Sequence, residues 1–349
     1  MIAEFFYSLM TDKRKGAIYS PLKGILYLLS LLYGLTIAIR AFLYRWGAIK
    51  AKAGGMKIIS VGNLTLGGTG KTPFVLMLTD ILKNEMRMEP CILMRGYGWD
   101  EQALLKKNLP DVPVLIGEDR VKQAHRAVKL YGSKIGILDD GFQYWELKRD
   151  LDIVLINARS PFGNGRLFPR GTLRENQAAL SRAEIVVYTK VDRAEAGLER
   201  LKEDVGLAKG TRIILEAVHA PKDLYDVRAR KVLEVSFLRG KRAILFSSIG
   251  DPSYFEETVR DLGAECVAHF SYRDHHDYSP RDIEAIEKRC DERRFDLIVT
   301  TEKDSVKLAR LGLHIGAYPL MVLCIEMRLT RGKEDLIARL HSLVSCTGR

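Results

Sequence analysis

A glycine-rich segment follows a short apolar run and ends in a lysine and a threonine. The apolar run is Lys57–Val61, and the segment reads TLGGTGKT. Glycines let the backbone curl so that successive amide N–H groups hold phosphate oxygens at a helix start. Lys71 would contact the β- and γ-phosphates, and the Thr72 hydroxyl would coordinate Mg²⁺. The predicted phosphate-binding residues are Thr65, Leu66, Gly67, Gly68, Thr69, Gly70, Lys71 and Thr72.

The segment is a variant of the P-loop pattern, because Thr65 occupies a position where the strict pattern has glycine. An incidental glycine-rich turn is the alternative interpretation. Pro73 follows immediately, in what would be the first helical turn, where its missing N–H leaves no hydrogen bond unmade. The strand, the loop and the helix start therefore agree, and they favour a phosphate-binding loop.

Two carboxylates, Asp139 and Asp140, directly follow the apolar run Ile135–Leu138. If that run is a buried strand, both carboxylates lie at its carboxyl end, where they can hold Mg²⁺ directly or through water. An Asp-Asp-Gly sequence by itself is more often a turn. The phosphate loop upstream favours the metal interpretation, so the predicted metal ligands are Thr72, Asp139 and Asp140.

A short motif at Thr189–Asp192 reads TKVD and is similar to the guanine-reading motif of GTPases. Four-residue matches with one variable position are common, and these residues also suit an ordinary strand-to-helix turn. The motif nevertheless supports the main competing hypothesis, a P-loop GTPase or a metallochaperone-type NTPase. Nucleotide preference would separate this hypothesis from an ATP-dependent kinase.

Short β-rich runs alternate with helical stretches from Met56 onward, which is typical of a parallel sheet with crossover helices. The predicted strands of a first series are Lys57–Val61, Cys91–Met94, Ile135–Leu138, Ile153–Ile156 and Ile185–Tyr188. Those of a second series are Ala243–Ser247, Cys266–Phe270, Asp296–Thr300 and Leu320–Ile325. We expect an α/β fold with a P-loop NTPase-type parallel sheet and a second, smaller α/β domain.

Four segments follow from this pattern. We expect an N-terminal helical segment, a nucleotide-binding kinase domain, a more irregular connecting segment and a C-terminal α/β domain. Their bounds are 1–50, 55–205, 206–240 and 241–349.

The first fifty residues contain an apolar stretch, Gly24–Ile39, between Lys23 and Arg40. A helix of these 16 residues would be about 24 Å long, short of the ~30 Å of bilayer hydrocarbon. A buried helix and a cleaved signal peptide are alternatives, but arginines lie between the stretch and the Ala51-Lys52-Ala53 cleavage pattern. Tyrosines and a tryptophan at its edges favour a membrane-associated helix.

Composition and charge narrow the classes of partner. The 349 residues include 55 Lys and Arg against 44 Asp and Glu, a net charge of +11. This excess suits an anionic membrane surface or phosphorylated substrates. The basic residues form no long block, so we expect no nucleic-acid partner. No feature indicates an obligate protein partner.

The five cysteines form no CxxC pair, which indicates free thiols in a reducing cytosol.

Nine motifs in one order closely resemble the tetraacyldisaccharide 4′-kinase family, the lipid A 4′-kinases. They are Ser60–Pro73, Arg95–Gly98, Asp100-Glu101, Gly117–Arg120, Asp139–Gln143, Phe162–Pro169, Arg170–Glu175, Asp274–His276 and Thr301–Asp304. The resemblance extends from the N-terminal helix to about residue 310. It implies phosphorylation of the 4′-hydroxyl of a tetraacyl glucosamine disaccharide 1-phosphate with ATP and Mg²⁺. It also implies a location on the cytoplasmic face of a bacterial inner membrane.

The resemblance also implies roles for residues outside the loop. Lys71 and Asp100 would be catalytic, together with His275 or its neighbour His276, because an Asp that orients a His makes it a general base. Thr301–Asp304 would either close over the nucleotide or cap a helix. The implied substrate residues are Tyr97, Gln143, Arg170, Arg174 and Glu175.

Two departures from the family pattern lie near these implied substrate positions. Tyr144 replaces the usual histidine, and Trp99–Gln102 replaces Gly-Asp-Glu-Pro. Arg170 and Arg174 would hold a phosphate by paired hydrogen bonds, although such loop charges also serve solubility alone.

A third hypothesis is a membrane-bound scaffold with a nucleotide fold that no longer turns over ATP. It would require the absence of transfer to any acceptor.

Overall fold

The computed structural model shows alternating strands and helices after an N-terminal helical segment. The structure describes residues 2–96, 98–194, 197–206, 212–291, 294–313, 315–316 and 318–345. The helices are α1 Ile2–Met10, α2 Ser20–Arg45, α3 Lys71–Asp80, α4 Trp99–Asn108, α5 Arg120–Tyr131, α6 Leu198–Gly206, α7 Pro252–Asp261, α8 Pro280–Asp291, α9 Glu302–Leu311 and α10 Lys333–Ser345.

The strands carry the apolar runs of the sequence. They are β1 Lys57–Asn63, β2 Pro90–Met94, β3 Val114–Ile116, β4 Ile135–Asp139, β5 Leu151–Asn157, β6 Ile185–Thr189, β7 Ile213–Asp226, β8 Lys231–Leu233, β9 Arg242–Ser247, β10 Glu265–Ser271, β11 Leu297–Thr301 and β12 Leu320–Arg331. Both predicted series are present with small changes of boundary, and the expected α/β class is confirmed.

The chain divides into two units. Unit 1 comprises residues 1–96, 111–218 and 328–349, and unit 2 comprises residues 97–110 and 219–327. The division differs from the expected domains, because α4 belongs to unit 2 and α10 to unit 1. Residues 206–240 were expected to be irregular, yet they contain β7 and β8. A proline and two charged residues at Pro221–Asp223 interrupt the apolar pattern of β7, which hides its length from sequence analysis.

Unit 1 contains a parallel sheet with the strand order β3-β2-β4-β1-β5-β6-β7. Its central strands are buried on both faces, which explains their continuous apolar character. Helix α5 packs Val121 and Ala124 against Ile58 and Leu138 of the sheet. The register pairs Val61 of β1 with Asp139 of β4, so the two strands end side by side.

Unit 2 contains its own parallel strands in the order β10-β9-β11-β12. Helix α7 covers one face, where Phe255 packs with Leu245. Helices α8 and α9 cover the other face, where Ile286 and Leu308 pack with Phe246. This packing fixes the carboxyl ends of β9 and β11 close to the start of α9, where the polar residues of the unit gather.

The N-terminal helix α2 is longer than the predicted 16 residues. It has 26 residues and a length of about 39 Å, because the residues on both sides of the apolar stretch are also helix formers. The span Ala17–Arg45 is long and apolar enough to cross a membrane, and 11% of its most apolar window is buried. Its inner side contacts the rest of unit 1, where the Tyr33 hydroxyl donates to the Arg174 carbonyl oxygen at 3.1 Å.

Candidate active site

The glycine-rich loop of unit 1, predicted to bind phosphate, connects β1 to α3. Gly67 and Gly70 have φ values of 104° and 86°, a left-handed conformation in which any other residue would be strained. Gly70 is the N-cap of α3, and Lys71 is its first residue. The free N–H groups of the first turn are therefore next to Lys71 and Thr72, an arrangement that favours phosphate binding.

The side chain of Asn63 holds the loop from inside, a role that the sequence motif did not indicate. It is completely buried. Its amide nitrogen donates to the Thr65 carbonyl oxygen at 2.8 Å and to the Thr69 hydroxyl at 3.0 Å. Its amide oxygen accepts from Lys71 Nζ at 3.2 Å. Asn63 thus fixes both the loop backbone and the direction of the lysine. An asparagine at the end of a buried strand before a glycine-rich loop is the signal that could have revealed this role.

Asp140 lies beside Lys71 and Arg174. Its carboxylate is 3.5 Å from Lys71 Nζ and 2.8 Å from the Arg174 guanidinium. Burial would raise the pKa of this carboxyl, but the charges of Lys71 and Arg174 outweigh burial and lower the pKa to about 2. Asp140 is therefore ionised at neutral pH.

The side chains near the loop include a set of oxygen donors. Asp139 is the last residue of β4, Asp140 follows it, and Thr72 lies in the first turn of α3. Mg²⁺ prefers oxygen ligands and is usually bound by one or two carboxylates together with substrate phosphates. The donor set of Thr72, Asp139 and Asp140 therefore fits Mg²⁺.

The TKVD motif contacts the phosphate-binding loop through its first two residues. The Thr189 hydroxyl donates to the Thr69 carbonyl oxygen at 2.9 Å, and Lys190 Nζ donates to the Gly68 carbonyl oxygen at 3.3 Å. Asp192 is 3.7 Å from the side chain of Arg193. The contacts of Thr189 and Lys190 thus support the loop backbone, a function that does not depend on which base the nucleotide carries.

Four of the five expected substrate residues have partners within unit 1, and Tyr97 lies outside the described residues. Gln143 donates to the Asn63 carbonyl oxygen at 3.0 Å, and Arg174 binds Asp140. Arg170 binds Asp12 at 2.9 Å. Glu175 is buried and binds Arg182 at 2.9 Å. Arg170 and Glu175 therefore join parts of unit 1, whereas Gln143 and Arg174 lie beside Asp140 and the loop.

Tyr144, which replaces the usual histidine, contacts Arg120. Its hydroxyl oxygen accepts from the Arg120 backbone N–H at 3.2 Å. The Arg120 guanidinium lies 4.2 Å from the centre of the tyrosine ring, a favourable cation–π contact. This residue thus fixes the start of α5.

In unit 2, Asp100 contacts His275 although 175 positions separate them in the sequence. The two carboxylate oxygens lie 3.2 and 3.1 Å from His275 Nδ1. Asp100 is 2% exposed in the first turn of α4, and the Glu101 backbone N–H also donates to it. His275 has a φ of 59°, a left-handed conformation that few residues other than glycine adopt. The pair has the geometry of an Asp that orients a general-base His.

The neighbouring histidine has different partners. His276 Nε2 is 3.1 Å from Asp282, and its ring stacks on Tyr272 with 4.7 Å between ring centres. The geometry therefore favours His275 over His276 as the partner of Asp100.

Two lysines of α9 complete this cluster. The sequence analysis named Lys303 only as part of the Thr301–Asp304 motif and did not name Lys307. Lys307 is 1% exposed, and its ammonium lies 3.3 Å from Asp100 and 2.7 Å from the Ser248 hydroxyl. Lys303 Nζ lies 3.0 Å from Asp274 and 3.6 Å from Asp100. Burial would raise the Asp100 pKa, but the His275 hydrogen bond and the lysine charges outweigh burial and lower it. Asp100 is therefore ionised at neutral pH.

The Thr301–Asp304 motif begins α9. The Thr301 hydroxyl accepts from the Asp304 backbone N–H, so Thr301 is the N-cap of the helix. Asp304 is completely buried and accepts hydrogen bonds from the backbone N–H of Ser248 and from the Tyr278 hydroxyl. The motif therefore caps the helix, and this leaves Lys303 and Lys307 on the side of α9 that contacts Asp100.

Comparison with known proteins gives one consistent result. A family model described as tetraacyldisaccharide-1-P 4′-kinase matches residues 22–345. The tetraacyldisaccharide 4′-kinase of Syntrophus aciditrophicus is 36% identical, over 90% of this chain and 91% of its own. That of Anaeromyxobacter sp. strain K is 37% identical, over 88% and 87%. A crystal structure of LpxK from Aquifex aeolicus in complex with ATP has a TM-score of 0.70 and 29% identity. It covers 92% of this chain and 99% of its own.

Proposed function

The chain belongs to the tetraacyldisaccharide-1-P 4′-kinase family, and we propose that it phosphorylates the 4′-hydroxyl of a tetraacyl glucosamine disaccharide 1-phosphate with ATP. The observation that carries this proposal is a glycine-rich loop with Lys71, Asp139 and Asp140 at the carboxyl ends of β1 and β4. The Asp100–His275 pair supplies the second group that an alcohol phosphotransfer needs.

In this proposal the nucleotide is held by unit 1. The loop amides and Lys71 bind the phosphates, and the ammonium of Lys71 offsets the negative charge that develops during transfer. Thr72, Asp139 and Asp140 would hold Mg²⁺, which supplies charge neutralisation at the phosphates. Arg174 and Gln143 are candidates for contact with a phosphate or with the acceptor, because they lie beside Asp140.

The acceptor hydroxyl needs a partner for its proton, and we assign this role to His275. The hydroxyl oxygen forms a bond to the γ-phosphorus, the bond from that phosphorus to the ADP oxygen breaks, and the proton passes to His275 Nε2. Asp100 holds Nδ1 and stabilises the imidazolium that results. This leaves His275 Nε2 as the proton-accepting atom.

We further propose that α2 anchors the enzyme in the cytoplasmic face of the inner membrane. Its outer side carries exposed apolar residues, of which Leu28, Leu32 and Leu35 are 63%, 61% and 57% exposed. A contiguous exposed apolar surface usually marks a site of contact with a membrane or another protein. The acyl chains of the acceptor lie in the bilayer, so an anchored enzyme searches a surface for its substrate rather than a volume.

Transfer of ³²P from ATP to a tetraacyl disaccharide 1-phosphate in detergent tests the proposed reaction. Incorporation of label at the 4′ position, with ATP preferred over GTP, is the expected result. Acceptor-independent hydrolysis of GTP without labelled lipid would contradict it and favour a GTPase.

Flotation with vesicles that contain anionic lipid tests the anchor. The double variant Leu32→Glu/Leu35→Glu should lose most vesicle binding, because charged groups are costly to bury in hydrocarbon. The matched variant Lys13→Gln/Lys15→Gln should bind nearly as well as the unchanged protein in high salt, since apolar burial is not screened. Release of the unchanged protein by high salt would exclude an apolar anchor.

A further inference from the structure

The outer ring nitrogen of His275 lies in a cluster of unlike charges within unit 2. Its Nε2 is 3.4 Å from Lys303 Nζ. Two carboxylates are nearly as close, Glu101 at 3.9 Å and Asp274 at 3.8 Å. The His275 side chain is 45% exposed, so this nitrogen is the accessible end of the Asp100–His275 pair.

Three elements contribute the charged groups that face this histidine. Helix α4 provides Asp100 and Glu101, the segment before α8 provides Asp274, and α9 provides Lys303 and Lys307. The ammonium of Lys307 contacts Asp100, on the Nδ1 side of the ring. Lys303 is therefore the cation of this cluster that contacts Nε2, among the residues that the structure describes.

Lys303 is fixed in place by the carboxylates around it. Its Nζ lies 3.0 Å from Asp274, 3.6 Å from Asp100 and 3.7 Å from Glu101, and its side chain is 16% exposed. A lysine on a free surface would sample many rotamers and be screened by water. Here the ammonium is held beside Nε2, where it opposes the arrival of a second positive charge.

We infer that Lys303 is a positioning residue that opposes protonation of the outer nitrogen of His275, and so leaves a larger fraction of it able to receive the proton of the acceptor hydroxyl. The inference rests on the proposed role of His275 and adds to it. Three carboxylates surround the imidazole and favour its protonated form. Without an opposing cation, a larger fraction of the rings would hold this proton at neutral pH and could not act as a base.

The charges around His275 act in opposite directions on its pKa. The His275 pKa lies above its usual range, because the hydrogen bond to Asp100 raises it by more than burial and the charge of Lys303 lower it. Removal of Lys303 must therefore raise the His275 pKa further. Since a general base works only when deprotonated, the acid limb of the kcat profile must move to higher pH.

Two measurements on one set of variants test this inference. In protein with ¹³C-labelled histidine, the His275 resonance is assigned by its absence in His275→Gln and is then titrated. Lys303→Met should raise the midpoint of that titration. In the transfer assay, kcat of Lys303→Met should be roughly fivefold lower near pH 6.5 and close to the unchanged enzyme above about pH 8.5.

Controls separate charge from packing. Lys303→Arg keeps the charge and should preserve both profiles, and Lys303→Gln replaces the Met variant if the latter does not fold. Lys107→Met removes an exposed lysine of α4 that binds Glu302 of α9, the helix of Lys303, at 2.9 Å, and should change neither measurement. A uniform loss of kcat at every pH would indicate a structural role and overturn the inference.

The two measurements also separate a failure of this inference from a failure of the proposed function on which it rests. An unchanged His275 titration in Lys303→Met overturns the inference and leaves the proposed reaction intact. A raised titration midpoint with an unmoved kcat profile shows that Lys303 controls the ring as inferred. That same outcome removes His275 from the role of base.

Discussion

The phosphate-binding loop of unit 1 and the Asp100–His275 cluster of unit 2 are built in different ways. The loop and its lysine occupy eight consecutive residues, Thr65–Thr72, which follow β1 and extend into the first turn of α3. The cluster combines side chains from α4, from the segment before α8 and from α9. The proposed phosphate binding depends on backbone curvature, which a short sequence specifies, whereas the proposed proton-accepting pair depends on side chains that only the folded chain brings together.

The largest expected loss of activity comes from a change in the glycine-rich loop. Lys71→Ala should lower transfer roughly a thousandfold, because the loop loses the cation that stabilises the transferring group. The fold should persist, since Asn63 still holds the loop backbone through Thr65 and Thr69. The ³²P assay and thermal unfolding measure the two outcomes. Lys83→Ala, at a lysine that binds an exposed carboxylate, serves as the control, and near-normal activity of Lys71→Ala would exclude the P-loop assignment.

The second-largest loss of activity is expected at the Asp100–His275 cluster. Asp100→Ala and His275→Ala should each lower kcat roughly a hundredfold, with a smaller effect on the KM for ATP. The double variant should be little slower than either single variant, because the two residues act as one unit. Steady-state kinetics on the four proteins measures this coupling. Fully additive losses would mean that the 3.1 Å contact has no part in the reaction.

The same difference explains how much the sequence revealed. Lys71, Thr72, Asp139 and Asp140 were assigned from motifs, because strand, loop and helix follow one another along the chain. The resemblance indicated Asp100 together with one of two adjacent histidines, His275 or His276. The choice of His275 required the observed contact of His276 with Asp282.

Other assignments could not be made from sequence for physical reasons. Lys303 and Lys307 resemble ordinary helix-surface lysines, and their contacts with Asp100 form only when α4 packs against α9. Asn63 makes its contacts only after the loop closes around it. Long β7 was missed because its polar residues break the strand pattern over Ile213–Asp226.

A smaller effect is expected at the carboxylates. Asp139→Ala and Asp140→Asn should raise the Mg²⁺ concentration that gives half-maximal transfer by about tenfold, since each removes one oxygen ligand or its charge. A Mg²⁺ titration of the transfer rate measures this. Asp111→Ala is a control, because this exposed carboxylate binds only Lys83 among the contacts described. Unchanged titrations in both variants would remove the two residues from the metal site.

The smallest effect concerns the TKVD motif. Lys190→Met should raise the KM for ATP a few-fold and change kcat little, because the lysine supports the Gly68 carbonyl of the loop. Asp192→Ala should not alter the preference for ATP over GTP. A reversal of that preference in the Asp192 variant would mean that the motif reads the base.

Parallel measurement of ATP binding and phosphoryl transfer most directly tests the proposal that the loop with Lys71 binds ATP and that the Asp100–His275 pair acts only in the transfer step. Equilibrium ATP binding and ³²P transfer are measured on the same preparations of Lys71→Ala and Asp100→Ala. The account predicts that Lys71→Ala loses both, whereas Asp100→Ala binds ATP as the unchanged protein does and transfers roughly a hundredfold more slowly. Loss of ATP binding by Asp100→Ala in proportion to its loss of transfer would contradict the account.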